Sequence, residues 1–280
     1  MISVLQLGTI DYATGLCLQE KLIALRKDGR VGDVLLLLEH TPVITLGRNA
    51  KSANVVASSE SLVQRGVDVF ECDRGGDVTF HGPGQLVAYP IFDLHGFPSE
   101  NPSRKTLGAV EYVRRLEEVL IRTCAEFGIP AKRISGLTGV WTTVESGNVH
   151  VGTGAHARSV ERSSTISTEA KIAALGVHIS RGVTSHGVAL NVNTDLSFFN
   201  LIVPCGITSK PVTSMQKELN RTVSLQNVAH VLSRNFGTVF HSQMLWIDSL
   251  DALLGSNLGI PMRPPENLRK IHDGDDSMWA

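Results

Sequence analysis

The chain has 280 residues, of which 42% are hydrophobic and 19% are charged, and its formal net charge at pH 7 is −1. A chain of this length forms one large domain or two small ones and can bury a substantial core. The near-zero net charge argues against a general polyanion-binding surface, so nucleic acid is a weak candidate partner. No apolar run approaches the roughly 20 residues that a membrane-spanning helix requires.

Cysteine usage and the N-terminus bear on compartment and metal binding. Four cysteines, none in a CxxC pair, are too few for a disulfide scaffold in a chain of this length. The histidines do not follow a helical metal motif, so we expect no metal ion. The first residues show neither a secretory signal nor a transit peptide, and the cytoplasm is the expected compartment.

Hydrophobic periodicity in the N-terminal part predicts alternating strands and helices. Asp11 is a candidate N-cap for a helix that ends near Gly29, and a continuous apolar run over residues 34–38 is typical of a strand buried on both faces. Pro90 favours an edge strand or a bulge. The predicted strands cover residues 4–7, 34–38, 43–46, 67–72 and 86–94, with a helix over 11–29 and a short helix that Ser58 or Ser59 caps and that reaches Gln64.

The C-terminal part predicts a long helix and then a region rich in strands. Gly128 and Pro130 end a helix over residues 105–127, and Ser224 caps a last helix that reaches about residue 240. Because strands and helices interleave without strict alternation, we expect an α/β (α+β) domain with a mixed β-sheet and packed helices. The remaining predictions are strands over 140–144, 149–151, 171–179 and 184–192, a long loop over 152–170, a helical turn over 195–199 and an irregular tail from 248.

A glycine-rich stretch, RGGDVTFHGPGQ over residues 74–85, precedes the predicted strand at 86–94. Clustered glycines indicate close approach of the backbone to another group, or a positive φ. Two tight turns around a hairpin would explain them, but the interspersed Arg74, Asp77 and His81 favour a loop that lines a ligand site. The stretch alone does not identify the ligand, and a nucleotide phosphate is one option.

Cys205 and Lys171 are the residues best suited to nucleophilic chemistry. Cys205 lies between Pro204 and Gly206, off any amphipathic face, where a thiol is accessible as a nucleophile or is simply a reduced turn cysteine. Lys171 opens an apolar strand, so it either extends to the strand end or has a chemical task. As an ammonium it stabilises a thiolate, and as a neutral amine it accepts a proton. Cys124 falls on an apolar helical stripe and is predicted to be core.

Histidines leave a second possibility open. Four of them compete for the role of a general base, which keeps a Cys/His hydrolase possible, although scattered histidines in strands and turns are more often hydrogen-bonded structural groups. These are His40, His81, His178 and His186.

Three blocks of sequence resemble the lipoyl(octanoyl) transferases, or octanoyl-[acyl-carrier-protein]:protein N-octanoyltransferases. They are RGGDVTFHGPGQLVAYPI from residue 74, KIAALGVHISRGVTSHGVALNVNTDL from residue 171 followed by PCGI, and EHTPVITLGR from residue 39. The resemblance covers roughly residues 1–220. It implies the fold shared by the biotin and lipoate protein ligases. On this basis we expect a catalytic domain over 1–245 with an insert at about 145–170, and a peripheral or disordered C-terminal extension over 246–280.

The resemblance also implies a reaction, partners and site residues. The reaction is a cofactor-free transfer of octanoyl from octanoyl-acyl carrier protein to a lysine of lipoyl domains, on 2-oxoacid dehydrogenase E2 subunits and glycine cleavage H protein, by a monomeric enzyme. Cys205 matches the nucleophile that carries the acyl thioester, and Lys171 matches the partner that lowers the thiol pKa and assists proton transfer. The implied substrate-binding residues are Arg74, Gly75, Gly76, Asp77, Val78, Thr79, Phe80, His81, Ala174, Leu175, Gly176, Gly187, Val188 and Ala189.

Three alternatives stay open at this point. An ATP-dependent lipoate or biotin ligase would activate its acid as an adenylate and would need no nucleophilic cysteine. A non-enzymatic binder of acyl chains would have no reason to keep both Lys171 and Cys205. A cysteine-dependent thioesterase would use water in place of the acceptor lysine. The role of His81 is also open between shaping the pocket and bonding the acyl carbonyl.

Overall fold

The computed structural model describes residues 1–146, 166–204 and 210–254. Within these ranges, eight strands form one mixed sheet in the order β11-β1-β2-β6-β10-β9-β8-β7. Strand β1 runs parallel to β2 and β11, and the other neighbours are antiparallel. The strands are β1 (Ile2–Ile10), β2 (Asp33–His40), β6 (Gln85–Ile91), β7 (Ala131–Ile134), β8 (Leu137–Ser146), β9 (Ile166–Ser180), β10 (Val183–Asn191) and β11 (Met244–Trp246).

A smaller sheet has the order β4-β3-β5 within the same described ranges. Its strands are β3 (Val43–Leu46), β4 (Asp68–Glu71) and β5 (Val78–His81). The helices are α1 (Tyr12–Lys27), α2 (Ser59–Gln64), α3 (Ala109–Glu126), α4 (Met215–Leu219), α5 (Leu225–Val239) and α6 (Leu250–Leu254), with 3-10 turns at Ser52–Asn54, Leu94–Gly96 and Leu196–Leu201.

Two cores lie on opposite faces of the large sheet. Helices α3 and α5 cover one face, where Leu116, Leu120, Leu232 and Phe236 are fully buried against it. Helix α1 packs on the other face through Leu18 and other side chains. The run at 34–38 is buried on both sides, as predicted. The sheet therefore presents side chains to two separate environments, and a cavity lined in part by Tyr12 of α1 lies on the α1 side.

Helix starts follow the capping residues that the sequence indicates. The Asp11 carboxylate accepts a hydrogen bond from Thr14 N–H at 2.8 Å, and the hydroxyls of Ser58 and Ser224 cap α2 and α5. Each side chain satisfies an amide that the first helical turn leaves without a backbone partner. The predicted starts at these three positions are confirmed.

Helix α3 starts later than predicted. It begins at Ala109 rather than near residue 105, because Leu107 N–H donates to Phe97 O at 2.9 Å and holds the preceding backbone extended. Likewise, the loop predicted to reach residue 170 ends earlier, since β9 already begins at Ile166 and pairs with β8. The predicted strand at 149–151, most of the expected insert and residues 255–280 lie outside the described residues.

Pro90 lies on a central strand, so the edge-strand alternative was wrong. Strand β6 is flanked by β2 and β10, and Pro90 pairs with Leu35. Gly187 on β10 leaves room beside this part of β6: a Cβ there would be 2.1 Å from Ala88 O and 2.6 Å from Pro90 Cδ. Nearby, the Thr184 hydroxyl donates to Pro90 O at 2.6 Å. His186 has a φ of +56°, which marks the irregularity of β10 beside the proline.

Candidate active site

A cavity with an empty volume of ≈ 470 Å³, which includes its open mouth, lies beside strands β6, β9 and β10. Ala174 and Ala189 face each other across the β9–β10 ladder, and Gly176 pairs with Gly187 one row further along. Because these residues have small side chains or none, the sheet surface forms a trough at this place. The lining residues are Tyr12, Arg74, Gly76, Asp77, Thr79, His81, Val87, Tyr89, Ala174, Leu175, Gly176, His186, Gly187, Val188 and Ala189.

Strand β5 sends alternate side chains into this cavity. Thr79 and His81 line it, whereas Val78 and Phe80 point into the core of the smaller sheet, where the Phe80 ring stacks on Phe198 at 4.7 Å. The period of two in a strand requires this division. Of the expected substrate-binding residues, Val78 and Phe80 are therefore packing residues in this structure. Gly75 also lies outside the lining, where its N–H donates to Val177 O at 3.0 Å.

Arg74 is a buried cation that borders the cavity. Its guanidinium donates to the Thr45 carbonyl at 2.7 Å and to the Thr45 hydroxyl at 2.8 Å. Glycines from two other elements give it room: a Cβ at Gly47 would be 2.7 Å from Arg74 Nη1, and one at Gly176 would be 3.0 Å from Arg74 Cδ. The glycines around this loop thus have a packing reason, because they make space for a buried arginine.

His81 is held in one tautomer by a chain of amides. Its Nδ1 lies 2.7 Å from Gln85 Oε1, while Gln85 Nε2 donates to Phe80 O and to Asn191 Oδ1. Asn191 Nδ2 in turn donates to Thr213 O at 3.0 Å. Because both amide orientations are fixed by carbonyl acceptors, His81 carries its proton on Nδ1 and has an acceptor lone pair on Nε2. Burial lowers the pKa of His81 to about 3, so the ring is neutral near pH 7.

A second neutral histidine lies behind the first. His40 Nδ1 is 3.0 Å from the Ile10 carbonyl and must donate to it, so Nε2 accepts from the Tyr89 hydroxyl at 2.7 Å. Burial lowers the pKa of His40 to about 4. The rings of Tyr12, His40 and His81 lie within 5.3–6.4 Å of one another. The inner wall of the cavity is thus a packed group of uncharged aromatic rings.

Asp73 bridges two histidines at the edge of the same cavity. Its carboxylate contacts His186 Nε2 at 2.7 Å and also bonds His178 Nδ1. The hydrogen bond from His186 holds the pKa of Asp73 well below its usual range, while burial lowers the pKa of His186. The bridge ties the loop before Arg74 to strands β9 and β10. Because His178 and His186 are both engaged in this bridge, a structural role accounts for them.

Lys171 lies near the start of the well-packed part of β9 and is buried. Its backbone N–H donates to Pro211 O at 2.8 Å, and its carbonyl accepts from Thr213 N–H at 2.9 Å. The ammonium lies 5.4 Å from the centre of the Trp141 ring. The residue is thus surrounded by protein rather than extended into solvent along the strand end.

Comparison with known proteins now identifies the family. The model of the lipoyl protein ligase A/B catalytic domain matches residues 11–237. An octanoyltransferase of Koribacter versatilis is 57% identical over 98% of this chain and 98% of its own, and one of Acidobacterium capsulatum is 52% identical over 91% and 96%. The chain belongs to the octanoyltransferases of this family. It is therefore an acyltransferase.

Solved structures show that the octanoyltransferase shares its fold with lipoate protein ligases. The bipartite lipoate protein ligase of Thermoplasma acidophilum aligns with a TM-score of 0.63 and 17% identity over 89% of this chain and 88% of its own. A lipoate-protein ligase A bound with ATP aligns with a TM-score of 0.60 and 15% identity over 88% and 87%. These likenesses confirm the expected mixed-sheet α/β fold.

The cysteines of the octanoyltransferase differ in their surroundings. Cys124 is fully buried on α3, as predicted, and burial raises the pKa of its thiol to about 12. Cys17 and Cys72 are half-buried. Cys205 lies outside the described residues.

Within residues 1–146, 166–204 and 210–254, no group of three metal-ligating side chains converges, and none of the helices has both the length and the apolar character to traverse a bilayer.

Several residues that border the cavity are not among the predicted site residues. Tyr12 comes from α1, far earlier in the chain than the motifs, and nothing in its local sequence marks it. Val87 and Tyr89 are two positions apart on β6, so the period of two of a strand predicts that they share one face of the sheet. The hydrogen-bonding role of Gln85 was also missed, although the residue closes the glycine-rich stretch.

Proposed function

We propose that this chain transfers an octanoyl group from octanoyl-acyl carrier protein to the acceptor lysine of lipoyl domains, through a thioester on Cys205 with Lys171 as proton carrier. The observation that carries the proposal is the trough of small residues on β9 and β10, because β9 also bears Lys171. The family membership supports the acyl group, and the Thermoplasma ligase was studied together with its E2 lipoyl domain, which supports the acceptor.

The two steps balance without a cofactor. In the first, the Cys205 thiolate adds to the donor carbonyl, the bond to the carrier's sulfur breaks, and Lys171 gives a proton to the departing thiolate. In the second, the acceptor amine adds to the Cys205 thioester, the carbon–sulfur bond breaks, and the amine proton returns to Lys171. Each step exchanges one acyl bond for another, so neither needs ATP.

The chain on both sides of Cys205 supports this assignment. Val203 N–H donates to Asn54 O at 2.7 Å, and Asn54 Nδ2 donates to the carboxylate of Asp77, a cavity residue, at 2.6 Å. On the other side, Pro211 O binds the backbone of Lys171. The described residues on either side of Cys205 in the sequence are thus hydrogen-bonded to a neighbour of a cavity residue and to Lys171.

The electrostatics limit what His81 can do in this reaction. With its proton committed to Gln85, the neutral ring offers only an acceptor at Nε2. It therefore does not donate a hydrogen bond to the acyl carbonyl. We propose that His81 shapes the cavity wall, and that the trough lined by Ala174 and Ala189 receives the alkyl chain.

Intact mass spectrometry tests the mechanism. Purified protein mixed with octanoyl-acyl carrier protein is expected to gain one octanoyl group that hydroxylamine removes, and Cys205→Ser is expected to gain none. Cys124→Ser is the matched control, because Cys124 is buried in the core, and it should still be acylated. A wild-type protein without the adduct would contradict the thioester mechanism.

Adding an apo lipoyl domain to the acylated enzyme separates the remaining functions. We expect the octanoyl group to move onto one lysine of the domain. Release of free octanoate with regenerated enzyme would instead indicate a thioesterase. Modification of the domain only when free octanoate and ATP are supplied would indicate a ligase.

A further inference from the structure

Strand β9 has one more residue than the opposite stretch of β8. Val140 pairs with Ala173 and Trp141 pairs with Lys171, so Ile172 is left without a partner on β8. An extra residue of this kind is a β-bulge, and it shifts the alternation of side chains by one position. Without it, Lys171 and Ala173 would project from the same face of the sheet.

The bulge places Lys171 on the cavity face. Val140 and Ala173 belong to the core beneath α3 and α5. Their neighbours across the bulge, Trp141 and Lys171, form the next pair and project to the opposite face, where Ala174 borders the cavity. A single inserted residue thus turns the Lys171 side chain from the apolar core beneath α3 and α5 to the face of the sheet that carries the cavity.

Gly139 leaves the space that the lysine stem occupies. A Cβ at Gly139 would lie 2.6 Å from Lys171 Cε and 3.3 Å from Lys171 Nζ, and its φ is +135°. The Lys171 ammonium lies over the Trp141 ring, 5.4 Å from its centre. The lysine side chain therefore passes through the space that Gly139 leaves open and ends over an aromatic face.

We infer that Gly139 is a positioning residue, which together with the bulge at Ile172 directs the Lys171 ammonium to the acyl-transfer site. This inference rests on the proposed role of Lys171. A methyl group at position 139 would meet the flexible Lys171 stem at 2.6 Å, so the lysine would move aside. The same methyl group would lie 3.0 Å from the Ala173 carbonyl oxygen at a φ of +135°, so the substitution also costs stability. Gly139→Ala should therefore displace the ammonium by about the width of a methyl group.

A double-mutant cycle tests the inference through the rate of octanoyl adduct formation. We expect Gly139→Ala to slow acylation on the order of 10²-fold, as misplacement of a reacting group by about 1 Å does. In a Lys171→Ala background the same substitution should have no further effect, because the group that it displaces is gone. Thermal unfolding of all four proteins reports whether each is folded.

Gly136→Ala is the matched control. Gly136 lies on the same β7–β8 hairpin and has a φ of +80°, but a Cβ there would meet nothing within 4 Å. It should suffer backbone strain without disturbing Lys171 and should react at the wild-type rate. If Gly139→Ala does not fold, Trp141→Phe provides a second route, with a smaller loss of rate that also vanishes in the Lys171→Ala background.

Three outcomes are decisive. Wild-type rates for Gly139→Ala would overturn the inference. So would equal losses in the presence and absence of Lys171, because they would show that the glycine acts through the fold. A wild-type rate for Lys171→Ala would instead overturn the proposed role of the lysine, independently of Gly139.

Discussion

Gln85 Oε1 accepts a hydrogen bond from His81 Nδ1 at 2.7 Å, and this contact sets what the histidine presents to the cavity. Gln85 cannot turn over, because its Nε2 already donates to two oxygens, Phe80 O and Asn191 Oδ1. The relay continues to Thr213, whose N–H binds the carbonyl of Lys171. Two buried amides, those of Gln85 and Asn191, thus connect the inner wall of the cavity to the backbone of the proposed catalytic lysine.

Replacing Gln85 should be costly for stability. Gln85→Leu keeps the approximate volume but leaves the His81 N–H and the Asn191 and Phe80 oxygens without their partner. Since a buried polar group that loses its partner costs about 1–3 kcal/mol, we expect the free energy of unfolding to fall by at least about 2 kcal/mol. Urea unfolding measures it. Gln64→Leu on the surface of α2 is the control, and an equal loss in both variants would contradict the relay.

Acid should destabilise the protein through its buried histidines. The folded-state pKa values of His40 and His81, about 4 and about 3, lie below the value of about 6.5 expected when unfolded. Below pH 6.5 the unfolded chain therefore binds protons that the folded chain excludes, and stability falls as the pH falls toward 4. Urea midpoints at pH 7 and pH 5 should differ less in His40→Gln than in wild type. His230→Gln, at an exposed histidine, should leave the difference unchanged.

The sequence predicted the fold well where local signals decide it. The capping side chains of Asp11, Ser58 and Ser224 act within one helical turn, so their effect can be read locally. The strands at 171–179 and 184–192, which form the β9–β10 hairpin, were also predicted, because each is a continuous stretch of the chain.

Features that depend on partners distant in the chain could not be predicted. Pro90 lies on a central strand beside Gly187, nearly a hundred residues later, where a side chain would collide with its ring. The face of Lys171 depends on a bulge defined by β8, since the periodicity of β9 alone places the lysine with Ala173. The division of 74–81 into cavity and core residues likewise required the position of the smaller sheet, which packs Val78 and Phe80.

Glycines beside Arg74 should tolerate no methyl group. A Cβ at Gly47 would lie 2.4 Å from Gly76 O and 2.7 Å from Arg74 Nη1, so backbone must move. We expect Gly47→Ala to lower the free energy of unfolding by about 1–3 kcal/mol. Gly32→Ala is the matched control, because open space surrounds Gly32 and its φ is not positive; it should stabilise by about 0.4–1 kcal/mol. Urea unfolding compares the two, and a neutral Gly47→Ala would refute the packing role.

Cys124 should be inert toward thiol reagents in the folded protein. Its complete burial and its raised pKa of about 12 leave almost no accessible thiolate at pH 8. Peptide mapping after brief iodoacetamide treatment should find Cys124 unmodified in native protein and modified in urea. Labelling of native Cys124 at the rate of the denatured thiol would show that the α3 face opens readily.

Ala189 should set the length of acyl chain that the cavity accepts. It pairs with Val87 and Ala174 in the middle of the trough and is only 4% exposed, so a larger side chain there projects into the cavity. We expect Ala189→Leu to reduce adduct formation from octanoyl donors by on the order of 10-fold or more, because each excluded methylene forfeits its apolar contacts. Butyryl donors should be affected much less, since a shorter chain leaves the trough partly empty. Ala252→Leu, at an exposed position on α6, is the control for added hydrophobicity. Equal losses for both donors in a variant that melts like wild type would show that the alkyl chain lies elsewhere.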